Sequence, residues 1–308
     1  MWFKNLQLYR LPAPWNLSFA DLAEQLGRGI FHPCGNLEAA SRGWTPPRAG
    51  ADEGDLLHAA GRQCLLTLTT ESRLLPAAVI LQETQARARK LAAEQGYPPG
   101  RKALRDLKEQ VRDELLPRAF TCRRKTSVWI DGEHGWLGVD ASSLAKAEEV
   151  LEHLRQSLDD LPLTLVQTRT SPASAMADWL TNGDAPAGFS IDRDCELKAA
   201  DEEHAVVRYV RHPLGDEAAA EIRAHIAAGK LPTRLALTWN ERIAFVLTEK
   251  GEIKRLEFLD VLKEEVEQES DNADEIFDAE FALMSGEFTR FLPDLMTVLG
   301  GEIIHGKK

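Results

Sequence analysis

The chain has 308 residues, a formal net charge of −12 at pH 7 and 44% hydrophobic side chains. This length suffices for one large or two ordinary domains with a substantial core. The acidic balance excludes a protein coated in basic surface, so binding of a polyanion would need a localised cationic face. No apolar run approaches the roughly 18 residues that span a membrane, and the N-terminus lacks a signal-peptide core, so we expect a soluble, cytoplasmic protein with no membrane partner.

The first quarter of the chain is predicted to contain two strands and a helix. Trp2 to Leu11 alternates like a strand, and Gln63 to Thr70 (Gln-Cys-Leu-Leu-Thr-Leu-Thr-Thr) is predicted to be a second strand. Ser18 is a suitable N-cap for a helix that runs to about Gly27. Proline and glycine turn signals make residues 31–47 loop-like.

Residues 76–117 predict a projecting helical hairpin. Pro76 opens the stretch, Gly-Tyr-Pro-Pro-Gly interrupts it at 96–100, and Pro117 ends it. Glycine and proline cannot continue a helix, and proline favours a first turn. The second helix carries an apolar seam at helical spacing: Leu104, Leu107, Val111 and Leu115. Roughly 90° away, at about 100° per residue, lies a cationic row that we call the hairpin stripe: Arg101, Arg105, Lys108 and Arg112.

Charge is segregated along the chain. Residues 86–125 contain twelve Lys or Arg against five Asp or Glu, a local charge of +7. Residues 249–287 contain fourteen acidic and four basic residues, a local charge of −10. The basic region indicates a polyanion partner, most plausibly nucleic acid, unless its cations are merely paired with Asp106, Glu109 and Asp113. The acidic region is either a solvated face or a surface that repels DNA or binds a basic partner.

The rest of the chain predicts further strand and helix units. A β-hairpin is expected over Ser127 to Asp140, and a short connector helix within 171–188. The other predicted elements are a helix at Ser143–Leu158, strands at Leu163–Val166 and Ala205–Val210, a helix at Gly215–Ala228, a strand from Arg234 to Leu247 paired with Ile253 to Leu259, an acidic helix or loop from Asp260, and a final helix at Phe288–Leu299. This order predicts an α+β fold with largely antiparallel sheets and packed helices. We expect four regions: 1–75, the hairpin 76–117, a core continuation 118–170, and a C-terminal region 171–308.

Little in the sequence suggests catalysis. It lacks the common phosphate-cradling, zinc-protease and serine-hydrolase motifs, and its histidines are scattered. The cysteines are far apart and favour free thiols over a zinc site: Cys34, Cys64, Cys122 and Cys195. We expect no catalytic residue, metal or cofactor. The acidic pair Asp159 and Asp160 is the residual candidate for Mg²⁺-dependent nuclease chemistry.

Further cations lie outside the hairpin. Arg118 and the run Arg123 to Lys125 fall where helix gives way to strand, a place suited to phosphate contacts. Arg208 and Arg211 are expected on opposite faces of one strand. Phe120 is either a core residue or a contact between subunits. No helix carries the pattern of a base-reading helix, so any DNA binding should be sequence-independent and weakened steeply by salt.

Seven short segments occur in order along the chain: Trp2-Phe3-Lys4-Asn5-Leu6, Pro33-Cys34-Gly35, Gly43-Trp44-Thr45-Pro46-Pro47, Leu116-Pro117-Arg118-Ala119-Phe120, Trp129-Ile130-Asp131, Lys254-Arg255-Leu256 and Leu283-Met284-Ser285-Gly286-Glu287. Together they resemble the RdgC family of bacterial recombination-associated proteins. The resemblance implies a non-catalytic, nucleoid-associated homodimer that closes into a ring around duplex DNA and restrains RecA-dependent strand exchange. Single-stranded DNA is expected to bind as well.

A ring of two subunits needs two symmetric self-contacts, and we expect Phe120 and Tyr97 to take part in them. The candidate DNA-contacting residues are Arg87, Arg89, Lys90, Arg101, Lys102, Arg105, Lys108, Arg112, Arg118, Arg123, Arg124, Lys125, Arg208, Arg211 and His212. Two rival functions remain open. One is a nuclease that uses Asp159 and Asp160, and the other is a protein that inhibits RecA by direct contact through its acidic C-terminal third.

Overall fold

Two antiparallel sheets and seven α-helices make up the described chain. The computed structural model describes residues 2–48, 50, 54–199, 205–260, 262 and 272–303. The strands are β1 Gln7–Arg10, β2 Ala40–Thr45, β3 Leu57–Ala60, β4 Gln63–Arg73, β5 Thr121–Asp131, β6 Trp136–Val139, β7 Thr164–Leu165, β8 Phe189–Ala199, β9 Val206–Tyr209, β10 Lys230–Trp239, β11 Ile243–Thr248 and β12 Ile253–Phe258. The helices are α1 Phe19–Leu26, α2 Ala77–Gln95, α3 Arg101–Leu115, α4 Leu144–Ser157, α5 Pro172–Asn182, α6 Asp216–Ala227 and α7 Ala273–Val298, with 3₁₀ turns at Gly27–Gly29 and Leu116–Arg118. The predicted α+β class is confirmed.

The first sheet has seven strands in the order β2-β4-β5-β6-β1-β7, and β3 also pairs with β4. Strands β4 and β5 pair over eleven residues, from Gln63 opposite Asp131 to Arg73 opposite Thr121. We call this pair the β4–β5 ribbon. The helices α2 and α3 connect its two strands, so the predicted helical hairpin is present and extends from the ribbon's end.

The second sheet has five strands in the order β12-β11-β10-β8-β9. The N-terminal segment joins it to the first sheet, because Leu6 exchanges both backbone hydrogen bonds with Ile253, at 2.8 and 3.2 Å. The amide of Leu256 also donates to the carbonyl of Lys4 at 2.8 Å. The edge strand β12 therefore has its free hydrogen-bonding groups partly satisfied by the start of the chain.

Helix α7 packs against both sheets. The ring of Phe288 lies 5.1 Å from that of Trp129 in the first sheet and 5.7 Å from that of Phe258 in the second. Phe291 stacks against Phe245 of the second sheet with ring centroids 5.0 Å apart. One apolar core therefore includes residues of both sheets. A separate core lies under α1 and α4 and includes the fully buried Trp44.

The start of α1 and the end of α6 follow from their capping residues, as predicted, and two further helices lie where the sequence placed them. The hydroxyl of Ser18 accepts a hydrogen bond from the amide of Asp21 at 3.1 Å, which caps α1. Helix α4 begins directly after Ser143, and α5 lies within the predicted 171–188 connector. After α6, Gly229 has a φ of 87°, the left-handed conformation that ends many helices.

The prediction of a loop over residues 31–47 was confirmed for 31–39 and wrong for 40–45. Strand β2 occupies Ala40–Thr45 and pairs with β4. Gly43, which suggested a turn, lies in this strand because the backbone of Phe31 crosses it. A Cβ at position 43 would come within 2.3 Å of the Phe31 Cα. Glycine here permits a close backbone approach rather than a turn.

Other element boundaries also differ from the predictions. The final helix starts at Ala273 rather than Phe288, because Asn272 caps it and two acidic residues favour its first turn. Strand β8 was not predicted, although most of its apolar residues alternate with polar ones, which is a strand signal. The predicted strand Arg234 to Leu247 is two strands, separated by a turn with positive φ at Asn240 and Glu241. Strand β1 is shorter than predicted, and the acidic segment after Asp260 lies mostly outside the described residues.

Candidate nucleic-acid interface

The helical hairpin is defined by backbone constraints at its turn. Helix α2 ends at Gly96, which has the left-handed φ of 81°. Helix α3 begins after Gly100, its extended N-cap residue. The intervening prolines, Pro98 and Pro99, cannot donate the backbone hydrogen bonds that would extend either helix. The chain therefore reverses within a few residues and places the two helices side by side.

The two helices pack through a narrow seam. Val111 of α3 and Thr84 of α2 are the buried residues of these helices. Leu107 and Leu115 are half-buried, whereas Leu104, nearer the turn, is 38% exposed. The predicted apolar seam is thus present, and its residues are more exposed near the hairpin turn. Most of the hairpin surface remains open to solvent.

The four side chains of the hairpin stripe are all exposed. Within the described chain, one of them has an ion pair: Arg105 lies 4.0 Å from Glu109, the outer limit of such a contact. Arg101, Lys108 and Arg112 have no ion pair among the described residues. An exposed pair of this kind contributes little to stability, so the stripe has no evident structural role.

The remaining hairpin cations divide into one paired residue and three exposed ones. Arg87 bridges the helices, with contacts of 2.9 Å to Glu83 and 2.7 Å to Glu114. Its hydrogen bond to Glu114 lowers the pKa of that carboxyl. Arg89, Lys90 and Lys102 are exposed. Arg87 therefore helps to hold the hairpin together, whatever else it contacts.

The cations of β5 lie along the outer half of the ribbon. Arg123 donates to the buried Glu71 at 2.6 Å, and this bond lowers the Glu71 pKa. Arg124 and Lys125 are exposed. Arg118, in the 3₁₀ turn after α3, is also exposed. These residues continue the basic surface from the hairpin towards the core.

The third group of predicted cations lies on the second sheet. Arg208 of β9 donates to Glu196 at 2.6 Å and borders a cavity of about 360 Å³. The prediction that Arg208 and Arg211 occupy opposite faces of one strand was wrong, because β9 ends at Tyr209. Arg211 has a φ of 53°, and its amide donates to Asp194 at 2.7 Å. His212 is exposed and hydrogen-bonds the Pro213 carbonyl at 2.8 Å. The structure thus separates this group from the hairpin cations, which belong to the first sheet.

The two predicted self-contact residues are both exposed. Tyr97, at the hairpin turn, is 63% exposed. Phe120, directly before β5, is 84% exposed, so the alternative of a core position for Phe120 was wrong. Phe120 is a candidate contact residue because its ring is exposed and its hydrogen-bonded neighbour Leu74 is exposed too.

Sequence reasoning missed two residues beside this surface. Leu74 is 55% exposed, and its amide donates to the Phe120 carbonyl at 2.7 Å. Arg73 anchors several backbone carbonyls around it. The sequence offers one signal for this junction, namely a Leu-Leu-Pro stretch directly after a strand. The carbonyl partners of Arg73 come from distant segments and leave no local pattern.

The described residues contain no group of three or more His, Cys, Asp or Glu placed to hold a metal ion. Asp159 is paired with Arg28, and this hydrogen bond lowers the Asp159 pKa. All four cysteines are free thiols. In the described chain, no helix is both long enough and apolar enough to cross a bilayer.

The fold and surface define an α+β protein that carries an exposed cationic helical hairpin on a long β-ribbon. Comparison with known proteins shows that the chain belongs to the RdgC family, as its sequence segments predicted. The family model, described as "Putative exonuclease, RdgC", matches residues 1–302.

Two bacterial relatives show how far the similarity extends. The Recombination-associated protein RdgC of Dechloromonas aromatica (strain RCB) is 61% identical over 307 residues and covers 100% of both chains. The protein of the same name from Cupriavidus pinatubonensis is 53% identical over 302 residues, which is 98% of this chain and 99% of its own. These relatives are named for recombination, whereas the family description names an exonuclease.

Proposed function

We propose that this chain is a sequence-independent DNA-binding protein that encircles duplex DNA as a homodimeric ring and thereby limits RecA-dependent recombination. The observation that carries the proposal is the hairpin stripe, an exposed cationic row on an acidic protein, with one ion pair among the described residues. Family membership adds the link to recombination. The protein would act at the nucleoid, in the cytoplasm, without a cofactor.

The charge distribution supports a binding mode in which DNA is enclosed. A chain of net charge −12 repels DNA over most of its surface, so binding must concentrate on the hairpin and ribbon. Two subunits that face each other would bring two such basic surfaces towards one duplex. Phosphate contacts of this kind supply affinity without reading sequence. They would accept single-stranded DNA too.

Ring closure requires two symmetric contacts between the subunits. Phe120 is the stronger candidate because its side chain is the most exposed of the large apolar residues in the described chain. Tyr97 lies at the far end of the hairpin, where a second subunit could meet the tip. Each contact would bury apolar surface that the monomer leaves in water.

A salt series tests the proposal. Binding of a labelled random duplex is measured for wild type and for a fourfold alanine variant of the hairpin stripe, Arg101, Arg105, Lys108 and Arg112. Each lost phosphate contact should reduce the slope of log K against log salt by about 0.9, hence by up to about 3.6 for four contacts. A control removes the same charge from exposed cations elsewhere: Arg62, Lys146, Arg155 and Arg223. Equal slopes in wild type and the stripe variant would contradict the proposal.

The same variants separate DNA occupancy from direct RecA contact. If the protein restrains RecA by covering DNA, the stripe variant should lose inhibition of strand exchange in proportion to its loss of DNA affinity. The control variant should retain it. Inhibition by the stripe variant at wild-type strength would instead favour direct contact with RecA.

The family description favours one second candidate, an exonuclease. Asp159 and Asp160 are exposed and adjacent, although Arg28 already pairs with Asp159. The test is release of nucleotides from end-labelled duplex with Mg²⁺, by wild type and by a double Asn variant of the two aspartates. Cleavage by purified wild type that the variant lacks would establish the nuclease.

A further inference from the structure

Arg73 lies where three segments of the chain meet. It is the last residue of β4 and is half-buried. Its guanidinium nitrogens lie within hydrogen-bond distance of six backbone carbonyls, at 3.1 to 3.4 Å: Cys34, Gly35, Glu38, Leu116, Pro117 and Ala119. No carboxylate forms an ion pair with it among the described residues. Among the described residues, the groups that contact its positive charge are therefore carbonyl dipoles.

The chemistry of this cluster requires arginine. Three of the carbonyls lie in or directly after the 3₁₀ turn that follows α3, an end of the helix where its dipole favours a cation. Guanidinium offers five N–H donors in a planar fork, whereas an ammonium group offers three from a single point. Lysine could retain the charge but could not reach both groups of carbonyls.

The three segments tied by Arg73 each carry an exposed apolar side chain. Leu37, 66% exposed, lies in the 34–38 loop between the bonded carbonyls of Gly35 and Glu38. Leu74, 55% exposed, follows Arg73 itself. Phe120, 84% exposed, follows Ala119, the last of the bonded carbonyls. The segments that carry these three side chains are thus all bonded to one half-buried cation.

We propose that Arg73 is a positioning residue that holds Leu37, Leu74 and Phe120 in one surface and fixes the hairpin's base against the ribbon. The part of the inference that concerns self-association rests on the proposed homodimer. The part that concerns the hairpin does not, because it follows from contacts within one chain. The second subunit would meet a surface whose shape depends on Arg73, a residue that itself need not touch the partner.

The test compares Arg73→Met and Arg73→Lys with Arg118→Met, a control that removes an exposed cation from the adjacent 3₁₀ turn. Amide hydrogen exchange is measured in these three variants. It is measured again with Phe120→Gln added to each of them, because that substitution weakens the proposed self-contact. Arg73→Met should raise exchange at 34–38 and 116–120 at least about tenfold in both backgrounds, with Arg73→Lys intermediate and the control unchanged. Exchange in the second sheet should stay at the wild-type level.

Self-association is measured on the same proteins by sedimentation velocity. We expect Arg73→Met to weaken the dimer at least about tenfold. Wild-type exchange at 34–38 and 116–120 in folded Arg73→Met overturns the inference. If Arg73→Met raises amide exchange but leaves the dimer affinity unchanged, the proposed effect of Arg73 on self-association is overturned. A monomeric wild type overturns the proposed dimer. In that case amide exchange at 34–38 and 116–120 still tests whether Arg73 fixes the base of the hairpin. If Arg73→Met fails to fold, Arg73→Lys decides: exchange at 34–38 and 116–120 above the wild-type level supports the inference, and wild-type exchange there overturns it.

Discussion

The buried carboxylate of Glu287 provides a sharp test of how α7 is held against the second sheet. Glu287 lies on α7 and is fully buried. Arg242, in the turn between β10 and β11, donates to both of its oxygens at 3.1 Å. Arg290 donates to Glu287 Oε1 at 2.6 Å from the exposed side. We therefore expect removal of Arg242 and removal of Arg290 to have very different costs.

Arg242→Met leaves a buried charge with one exposed partner, which should cost about 3–5 kcal/mol. Arg290→Met removes a partner whose side chain is 61% exposed, and should cost under about 1 kcal/mol. With an unfolding entropy of about 2.1 cal/mol/K per residue, 308 residues give about 0.65 kcal/mol/K. The first variant should thus lower Tm by about 5–8 °C and the second by under about 2 °C.

The assay is thermal and urea unfolding by circular dichroism at one protein concentration. The double variant Arg242→Met/Glu287→Met should recover much of the loss, because it removes the uncompensated charge and leaves apolar side chains. If Arg242→Met costs no more than Arg290→Met, or if the double variant is less stable than Arg242→Met, then the reasoning about the buried pair is refuted.

Three further predictions concern single residues. Burial lowers the pKa of His58 in the folded protein, so the unfolded chain takes up a proton at His58 more readily than the folded chain. The stability that His58 contributes is therefore complete above the pKa of the unfolded chain, near 6.5, and is lost as the pH falls through the pKa of the folded protein. Urea titrations between pH 7.5 and 5 should show this loss, and His58→Gln should reduce it. Burial raises the pKa of Cys195 to about 12 and raises that of Cys64, so iodoacetamide at about pH 8 should label both only after unfolding, as peptide mass spectrometry can show. Gly43→Ala should cost at least about 1–3 kcal/mol in urea unfolding through its backbone clash. Gly27→Ala, whose new Cβ meets nothing within 4 Å, should stay within about 0.5 kcal/mol of wild type.

The elements that could be predicted from sequence are those specified by local chemistry. Ser18 as a cap, the glycine and proline turn of the hairpin, and the run of leucines and threonines in β4 each involve residues a few positions apart. The hairpin stripe belongs to the same class, since helical periodicity alone placed its four cations on an open face. These signals need no knowledge of the rest of the fold.

The elements that were missed depend on partners distant in the chain. Gly43 is understandable only once the backbone of Phe31 is seen to cross it. The core of α7 depends on contacts such as Phe288 with Phe3, with ring centroids 5.9 Å apart. The carbonyl cluster around Arg73 likewise gathers segments from both sides of the hairpin. No local sequence pattern indicates such contacts. The exposed residues of the hairpin could therefore be predicted from the sequence, whereas the contacts between distant segments could not.

The β4–β5 ribbon explains why these junctions matter for the proposed function. Its eleven residue pairs span about 36 Å at roughly 3.3 Å per residue. On β5 the residues from Val128 to Asp131 are buried, whereas Arg123 to Lys125 are exposed, so the outer half of this strand stands clear of the core on at least one face. The cations of β5 lie between the core and the hairpin stripe. In the proposed complex, DNA would therefore contact the ribbon and the hairpin as one continuous cationic surface. Arg73 and Phe120 sit where ribbon and hairpin meet. A shift at that point would move the proposed self-contact and the cationic stripe together, so loss of dimer and loss of DNA affinity should appear in the same variants.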